Sequence, residues 1–301
     1  MKRVLITGGN GYIGAYLYRA LTDYNIQITS RKQNISSVFM ELLDSSTIKD
    51  VCKDIDYVVH LANLDERLVK QQPKEALLAN SYATRELYLD AANNGVRKFI
   101  YFSTFHVYGA SDGEIDESTR PRPKTDYGLT HYFAEQYLEQ LSAREGAPVA
   151  VIRLTNGIGA PYGQYKWYLA LNDFCKTAFE TGRIVLKSNG LPQRDFVPIK
   201  DVVTAVRLLL EYKQDTPYEV YNVSSEKTYS IRELALAAAE VYRERYGKEV
   251  QLEIPAASQK EIDAVKPLHV SSQKIRNLGW RPRVTLSNVI NDIFDVIEQE
   301  A

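Results

Sequence analysis

The sequence predicts an α/β fold: a doubly wound parallel sheet with helices on both faces, followed by a smaller region that returns in pieces. Three observations carry this. Short apolar runs such as Val4–Ile6, Tyr57–Leu61 and Phe99–Phe102 read as strands buried on both faces. Stretches of helical period separate them, so strand and helix alternate through the first half. A glycine-rich turn joins the first strand to the first helix.

That turn is Thr7-Gly8-Gly9-Asn10-Gly11-Tyr12-Ile13-Gly14. Apolar residues then recur at Ile13, Leu17, Ala20, Leu21 and Tyr24, on one helical face. Strand, glycine turn and helix together suit a dinucleotide. Gly8 permits the tight turn, Gly11 admits a pyrophosphate to the backbone, and Gly14 lets helix and strand pack closely. The helix N-terminus faces the phosphates. Three glycines alone also make ordinary turns; the flanking strand and helix distinguish this one.

Further strands are expected at Ile26–Thr29, Ile55–Ala62, Lys98–Phe102 and Pro148–Arg153. A helix is expected over about 73–93, stopped by Asn94-Gly95. The second strand ends in Ser30-Arg31-Lys32, where an acid would select NAD through its ribose 2′-hydroxyl. Two cations and a hydroxyl favour the 2′-phosphate of NADP, with NAD as the alternative; a solvated loop with chance charges is the bland reading.

Composition bounds the rest. The 301 residues are 45% hydrophobic and 25% charged, with a net charge of −1, so nothing suggests nucleic-acid or acidic-membrane binding. Cys52 and Cys175 stand at no metal-ligand or disulfide spacing, so no metal site is expected. Lys2-Arg3 precedes an apolar run too short for a signal peptide, and no stretch is long enough to span a membrane. A cytoplasmic enzyme is the expectation.

The motif Thr-Gly-Gly-x-Gly-Tyr-Ile-Gly, spaced G-x-x-G-x-x-G, resembles the start of extended short-chain dehydrogenase/reductases, many of which act on nucleotide-activated sugars. The resemblance implies a Rossmann-like sheet over 1–156, with returning segments near 201–224. It implies a discontinuous substrate-binding region over 157–200 and 225–301. Met40–Asp44 resembles the family's third strand, with Asp44 in the place of an acid that meets the adenine amino group. Leu61 and Ala62 lie in the "D-x-V-x-H-L-A-A" stretch whose backbone faces the cofactor, which makes His60 a structural or cofactor-side residue rather than a proton carrier. Asn80 and Thr84 match "N-x-x-G-T", with Ala83 in place of the glycine.

Ser103-Thr104-Phe105-His106-Val107-Tyr108-Gly109 resembles the family stretch that carries the catalytic Ser/Thr, which places Thr104 there. Sugar 4,6-dehydratases of the family have Asp-Glu at the next two positions. Phe105-His106 stands here instead, which argues against a dehydratase; His106 is either a proton carrier near the substrate or a packed, ligand-contacting residue. The family's Tyr-x-x-x-Lys signature appears as Tyr127-Gly128-Leu129-Thr130-His131, its register held by Ala134-Glu135. The two side chains lie one turn apart on a helix face. In the family the tyrosine moves a proton while hydride moves to or from the nicotinamide. The lysine lowers the tyrosine pKa and holds the nicotinamide ribose. His131 therefore either does the lysine's work, as a cation when protonated, or leaves a slower enzyme, or marks a protein that binds cofactor without turnover.

On the substrate side the resemblance assigns phosphate contact to Asn156, a second substrate asparagine to Asn172, and a bidentate diphosphate contact to Arg194 within Arg194-Asp195-Phe196-Val197. Ser230-Ile231-Arg232-Glu233 is a capping box. Lys260 and Lys266 are candidates for a further phosphate contact that the sequence does not place. The resulting expectation is an NADPH-dependent reductase of a nucleotide-diphosphate keto sugar. An NAD-dependent epimerase is the alternative, and a catalytically weak dinucleotide-binding protein the second. A homodimer through helices near 75–93 and 127–145 is also implied.

Overall fold

The computed structural model describes residues 1–31, 37–144, 146–162 and 166–301. Its centre is a seven-stranded parallel sheet built from β1 (Arg3–Thr7), β2 (Asn25–Ser30), β3 (Ser37–Phe39), β4 (Tyr57–His60), β5 (Lys98–Thr104), β7 (Val149–Leu154) and β11 (Tyr218–Val223). The short strand β6 (Gly113–Ile115) lies outside it. The spatial order is β11-β7-β5-β4-β1-β2-β3, so the chain reverses direction of travel between β1 and β4. Such a switch point opens a crevice at the carboxyl ends of the strands.

Burial explains the sheet's composition. Val4 and Ile6 pack on one face with α1 (Tyr12–Ala20) and α7 (Ile199–Glu211), while Leu5 packs on the other with α4 (Ala83–Asn93) and α5 (Asp126–Ser142). With both faces covered, an alternating pattern has no use, and β1, β4 and β5 are apolar nearly throughout. A third core joins α6 (Ala170–Thr181), α8 (Ile231–Tyr246) and α11 (Leu286–Glu300) through Phe174, Leu234 and Phe294. Small sheets connect it to the first: β8 (Asn156–Ile158), β10 (Gln193–Pro198) and β12 (Thr228–Ser230); β9 (Arg183–Val185) with β13 (Gln251–Glu253); and β6 with β14 (Leu268–Val270). Ser230 and Glu233 form the expected reciprocal cap of α8.

Three expectations need correction. Met40–Asp44 is not a strand; β3 ends at Phe39. Thr47 Oγ1 accepts from the Glu41 amide at 2.9 Å and Asp44 caps the turn at Ser45–Thr47, so local side-chain bonds displace the ladder. A helix was not foreseen at α2 (Glu66–Gln71), which Asp65 caps through the Arg67 and Leu68 amides. The single helix expected over 73–93 is interrupted between α3 (Pro73–Ala76) and α4 by a wider π-type stretch, Leu77–Tyr82. That stretch carries Asn80, and such bulges recur at functional sites. The remaining helices are α9 (Gln259–Asp263) and α10 (Gln273–Asn277). Among the described residues, no helix is long and apolar enough to cross a membrane.

Candidate active site

The glycine turn occupies the crevice. Gly8 adopts φ +67°, and a Cβ there would lie 3.0 Å from the Ala62 amide nitrogen. The turn is therefore seated directly against Leu61 and Ala62 at the end of β4. A Cβ on Gly14 would meet the Gly8 carbonyl at 2.4 Å. Gly11 caps α1 without any side chain, which leaves the first amides of the helix, including those of Tyr12 and Ile13, without a side-chain acceptor. This cradle fits a pyrophosphate. The Tyr12 hydroxyl donates to the Gly159 carbonyl at 2.5 Å, tying the cradle to the segment after β8.

Thr7 and His60 pin the crevice floor. Thr7 Oγ1 accepts from the Leu61 and Ala62 amides at 3.1 and 3.2 Å. Its own proton therefore goes to His60 Nδ1 at 2.6 Å, and His60 Nε2 donates to Thr84 Oγ1 at 2.9 Å. Both ring nitrogens are satisfied, and burial pushes the imidazole pKa down to about 3. His60 is structural, as its sequence context implied. Asn80 bridges the Leu64 amide and carbonyl and reaches Thr130 on α5, so its amide organises the loop after β4.

Thr104 and Tyr127 converge from the end of β5 and the start of α5. Thr104 Oγ1 accepts from the His106 amide at 3.2 Å, and the nearness of its hydroxyl acts to lower the Tyr127 phenol pKa. Burial, then the Glu66 and Asp65 carboxylates, outweigh it and push Tyr127 up to about 12. One turn on, His131 packs edge-on against the Tyr127 ring at 4.7 Å between centroids. Its Nδ1 is 2.8 Å from the Tyr101 hydroxyl, and its Nε2 is buried with no partner. Burial pushes this imidazole down to about 3. That direction favours a neutral ring at 131 over a cation, among the alternatives the sequence left open.

A cavity of about 850 Å³ is lined by His106, Asn156, Arg194, Glu66, Glu261 and Lys266 among others; Thr104 and Tyr127 are not in its wall, and His106 is the lining residue that contacts Tyr127. The His106 ring stands edge-on to Tyr127 at 5.7 Å. Its pKa is lowered by desolvation, which the Glu66 charge opposes. Asn156, which lines the cavity, donates its side-chain amide to the Asp195 carbonyl at 2.8 Å. Asp195 is itself held by Thr155 and Ser225, so the strand that carries Arg194 is firmly placed. Of the two lysines that the sequence left open, Lys266 lines the cavity.

Some sequence candidates lie elsewhere. Asn172 is buried and donates to the Lys166 carbonyl and the Tyr12 hydroxyl rather than lining the cavity. Asp44 is exposed, its carboxylate engaged by Ser46. Arg31 is exposed immediately after β2, on the crevice side of the sheet order, while Lys32 lies outside the described residues. Conversely, Glu66 and Tyr101 were missed. Asp65-Glu66-Arg67-Leu68 did carry a signal, an N-cap followed by an acid in the first turn.

A family model described as the NAD dependent epimerase/dehydratase family matches residues 4–224, well over half of the chain. The mouse (Mus musculus) protein named dTDP-D-glucose 4,6-dehydratase is 29% identical, over 94% of this chain and 85% of that protein. The GDP-6-deoxy-D-mannose reductase of Pseudomonas aeruginosa is 27% identical, over 97% of this chain and 96% of that one. The solved structure of MoeE5 in complex with UDP-glucose and NAD superimposes with a TM-score of 0.82 at 25% identity, covering 99% of each chain.

Proposed function

Because the chain belongs to the NAD-dependent epimerase/dehydratase family, an NAD(P)-linked group acting on nucleotide sugars, we propose that it reduces the carbonyl of a nucleotide-linked keto sugar with NADPH. The observation that supports this direction is the state of Tyr127. It is half-buried; desolvation, then the Glu66 and Asp65 charges, push its phenol up to about 12, which favours the protonated form at neutral pH. A protonated phenol can give its proton to an alkoxide forming on the substrate; it is a poor base for drawing one away, which oxidation of a sugar hydroxyl requires.

In this reading the amides at Tyr12 and Ile13, with Gly8, Gly11 and Gly14, hold the pyrophosphate. Leu61, Ala62 and Asn80 flank the nicotinamide half, Ser30 and Arg31 meet the 2′-phosphate, and Asp44 reaches the adenine side. The bound dinucleotide supplies the hydride. Thr104 donates to the carbonyl oxygen and Tyr127 protonates it. Asn156 and Arg194 bind the diphosphate across the cavity, with His106 against the sugar. Phe105-His106 offers no carboxylate pair for eliminating water, which argues against a 4,6-dehydratase. Leu77, Leu78, Tyr82, Leu129 and Phe133 are exposed on the helices near 75–93 and 127–145, the face through which a homodimer would form.

The test is calorimetric titration of nucleotide-stripped protein with NADPH and NADH, for the wild type and Arg31→Ala. The reductase reading expects NADPH to bind at least about tenfold more tightly, about 1.4 kcal/mol, with the gap erased in the variant. NAD retained through purification, or bound equally well, moves an epimerase to first place.

A further inference from the structure

His131 has one ring nitrogen engaged and one buried without a partner. His60 and His131 both approach the Tyr101 ring, at 5.7 and 5.9 Å between centroids and tilted by 31° and 33°. Tyr101 comes from the centre of β5 and is 2% exposed. Among the described residues, its hydroxyl makes its one hydrogen bond to His131.

Which way that bond runs decides what His131 can do. Glu135 and burial both disfavour ionisation of Tyr101, so the phenol keeps its proton. A neutral imidazole has one N–H and one bare nitrogen. If Tyr101 donates to Nδ1, the proton of His131 sits on Nε2. A buried N–H without an acceptor is costly and demands an explanation.

We infer that Tyr101 is a positioning residue that fixes His131 in its Nε2–H form, making His131 a neutral hydrogen-bond donor to a hydroxyl of the bound dinucleotide. The identity of that ligand rests on the function proposed above; the direction of the Tyr101–His131 bond does not. The arrangement replaces a cation by an aimed dipole. It holds a ribose hydroxyl without charging the site, and leaves Tyr127 as an acid.

Two measurements test this. The first is nitrogen-15 NMR of imidazole-labelled, nucleotide-free protein at pH 7, with the resonance assigned from the His131→Gln variant. The inference expects a protonated Nε2 and a bare Nδ1. A protonated Nδ1, or an imidazolium, overturns it whatever the reaction catalysed. The second is NADPH affinity and thermal stability of Tyr101→Phe. Without the phenolic proton the ring is free to rotate or change tautomer. If the donor form is held about one-fifth of the time, affinity falls about fivefold. The His131 signals should also broaden or double. A variant with lowered melting temperature but unchanged NADPH affinity and an unchanged His131 signal assigns Tyr101 to packing alone, and overturns the inference. If neither protein binds a dinucleotide while the tautomer is as expected, the failure lies with the proposed function, and the donor role toward a dinucleotide falls with it.

Discussion

Mild acid should unfold this protein through two buried imidazoles, and His131→Gln should remove half of that sensitivity. His60 and His131 are each 1% exposed, with pKa values pushed from 6.5 to about 3 by burial. Folding therefore holds them neutral while the unfolded chain lets them charge. The sign follows: the stability they contribute is complete above pH 6.5 and is lost as pH falls toward 3, because the unfolded state binds more protons. Between pH 6 and pH 5 an ordinary imidazole takes up more of its proton and the buried one takes none. The loss is about 1.2 kcal/mol per histidine, and about 2.4 kcal/mol for the pair. Glutamine keeps a polar, hydrogen-bonding side chain at 131 but cannot titrate. Urea unfolding at pH 6 and pH 5 reads the difference. The wild type should lose about 1.2 kcal/mol more than the variant over that unit, with the carboxylate contributions common to both. Equal losses would mean that His131 already titrates normally in the folded protein, and the neutral-imidazole account of the site would fail with it.

Two further outcomes concern the frame around the site. Arg153 and Glu135 form a buried pair at 2.6 Å, 6% and 0% exposed, with Ser103 donating to the same carboxylate; the pair ties α5 to β7 behind Thr104. Arg153→Met should cost about 3–5 kcal/mol in urea unfolding, and adding Glu135→Gln should recover part of it, because the lone buried carboxylate is the main penalty. Gly14→Ala should weaken dinucleotide binding more than tenfold by calorimetry, since its Cβ would press on the Gly8 carbonyl and on Gly9 Cα at 2.4 and 2.7 Å, both backbone atoms of the cradle.

What the sequence disclosed and what it hid have a physical pattern. β1, β4 and β5 were legible because burial on both faces leaves an apolar run with little polar interruption. The cradle was legible because Gly11 and Gly14 are required by contacts within a few residues and Gly8 by its own positive φ, and the cap at Ser230 because Glu233 answers it three positions on. Tyr101 and His131 meet only because a strand and a helix pack together, 30 positions apart in the chain. The far wall of the cavity joins residues near 190 to residues near 265, a pairing that no local pattern encodes. The strand expected at Met40–Asp44 failed for a local reason instead, since Thr47 and Asp44 satisfy the backbone within a turn. The protonation state of His131 was also out of reach, because it is set by burial among residues contributed by β4, β5 and α5.

The most direct test of the central claim is transfer of deuterium from NADPH labelled at the nicotinamide C4 to a nucleotide-linked keto sugar, followed by mass spectrometry of the sugar. The account predicts one deuterium on the reduced carbon, with NADPH consumed one for one. In Tyr127→Phe it predicts a loss of at least about a hundredfold in rate, the lower range for a missing general acid. Interconversion of sugars without net consumption of NADPH, or an undiminished rate in Tyr127→Phe, would contradict it.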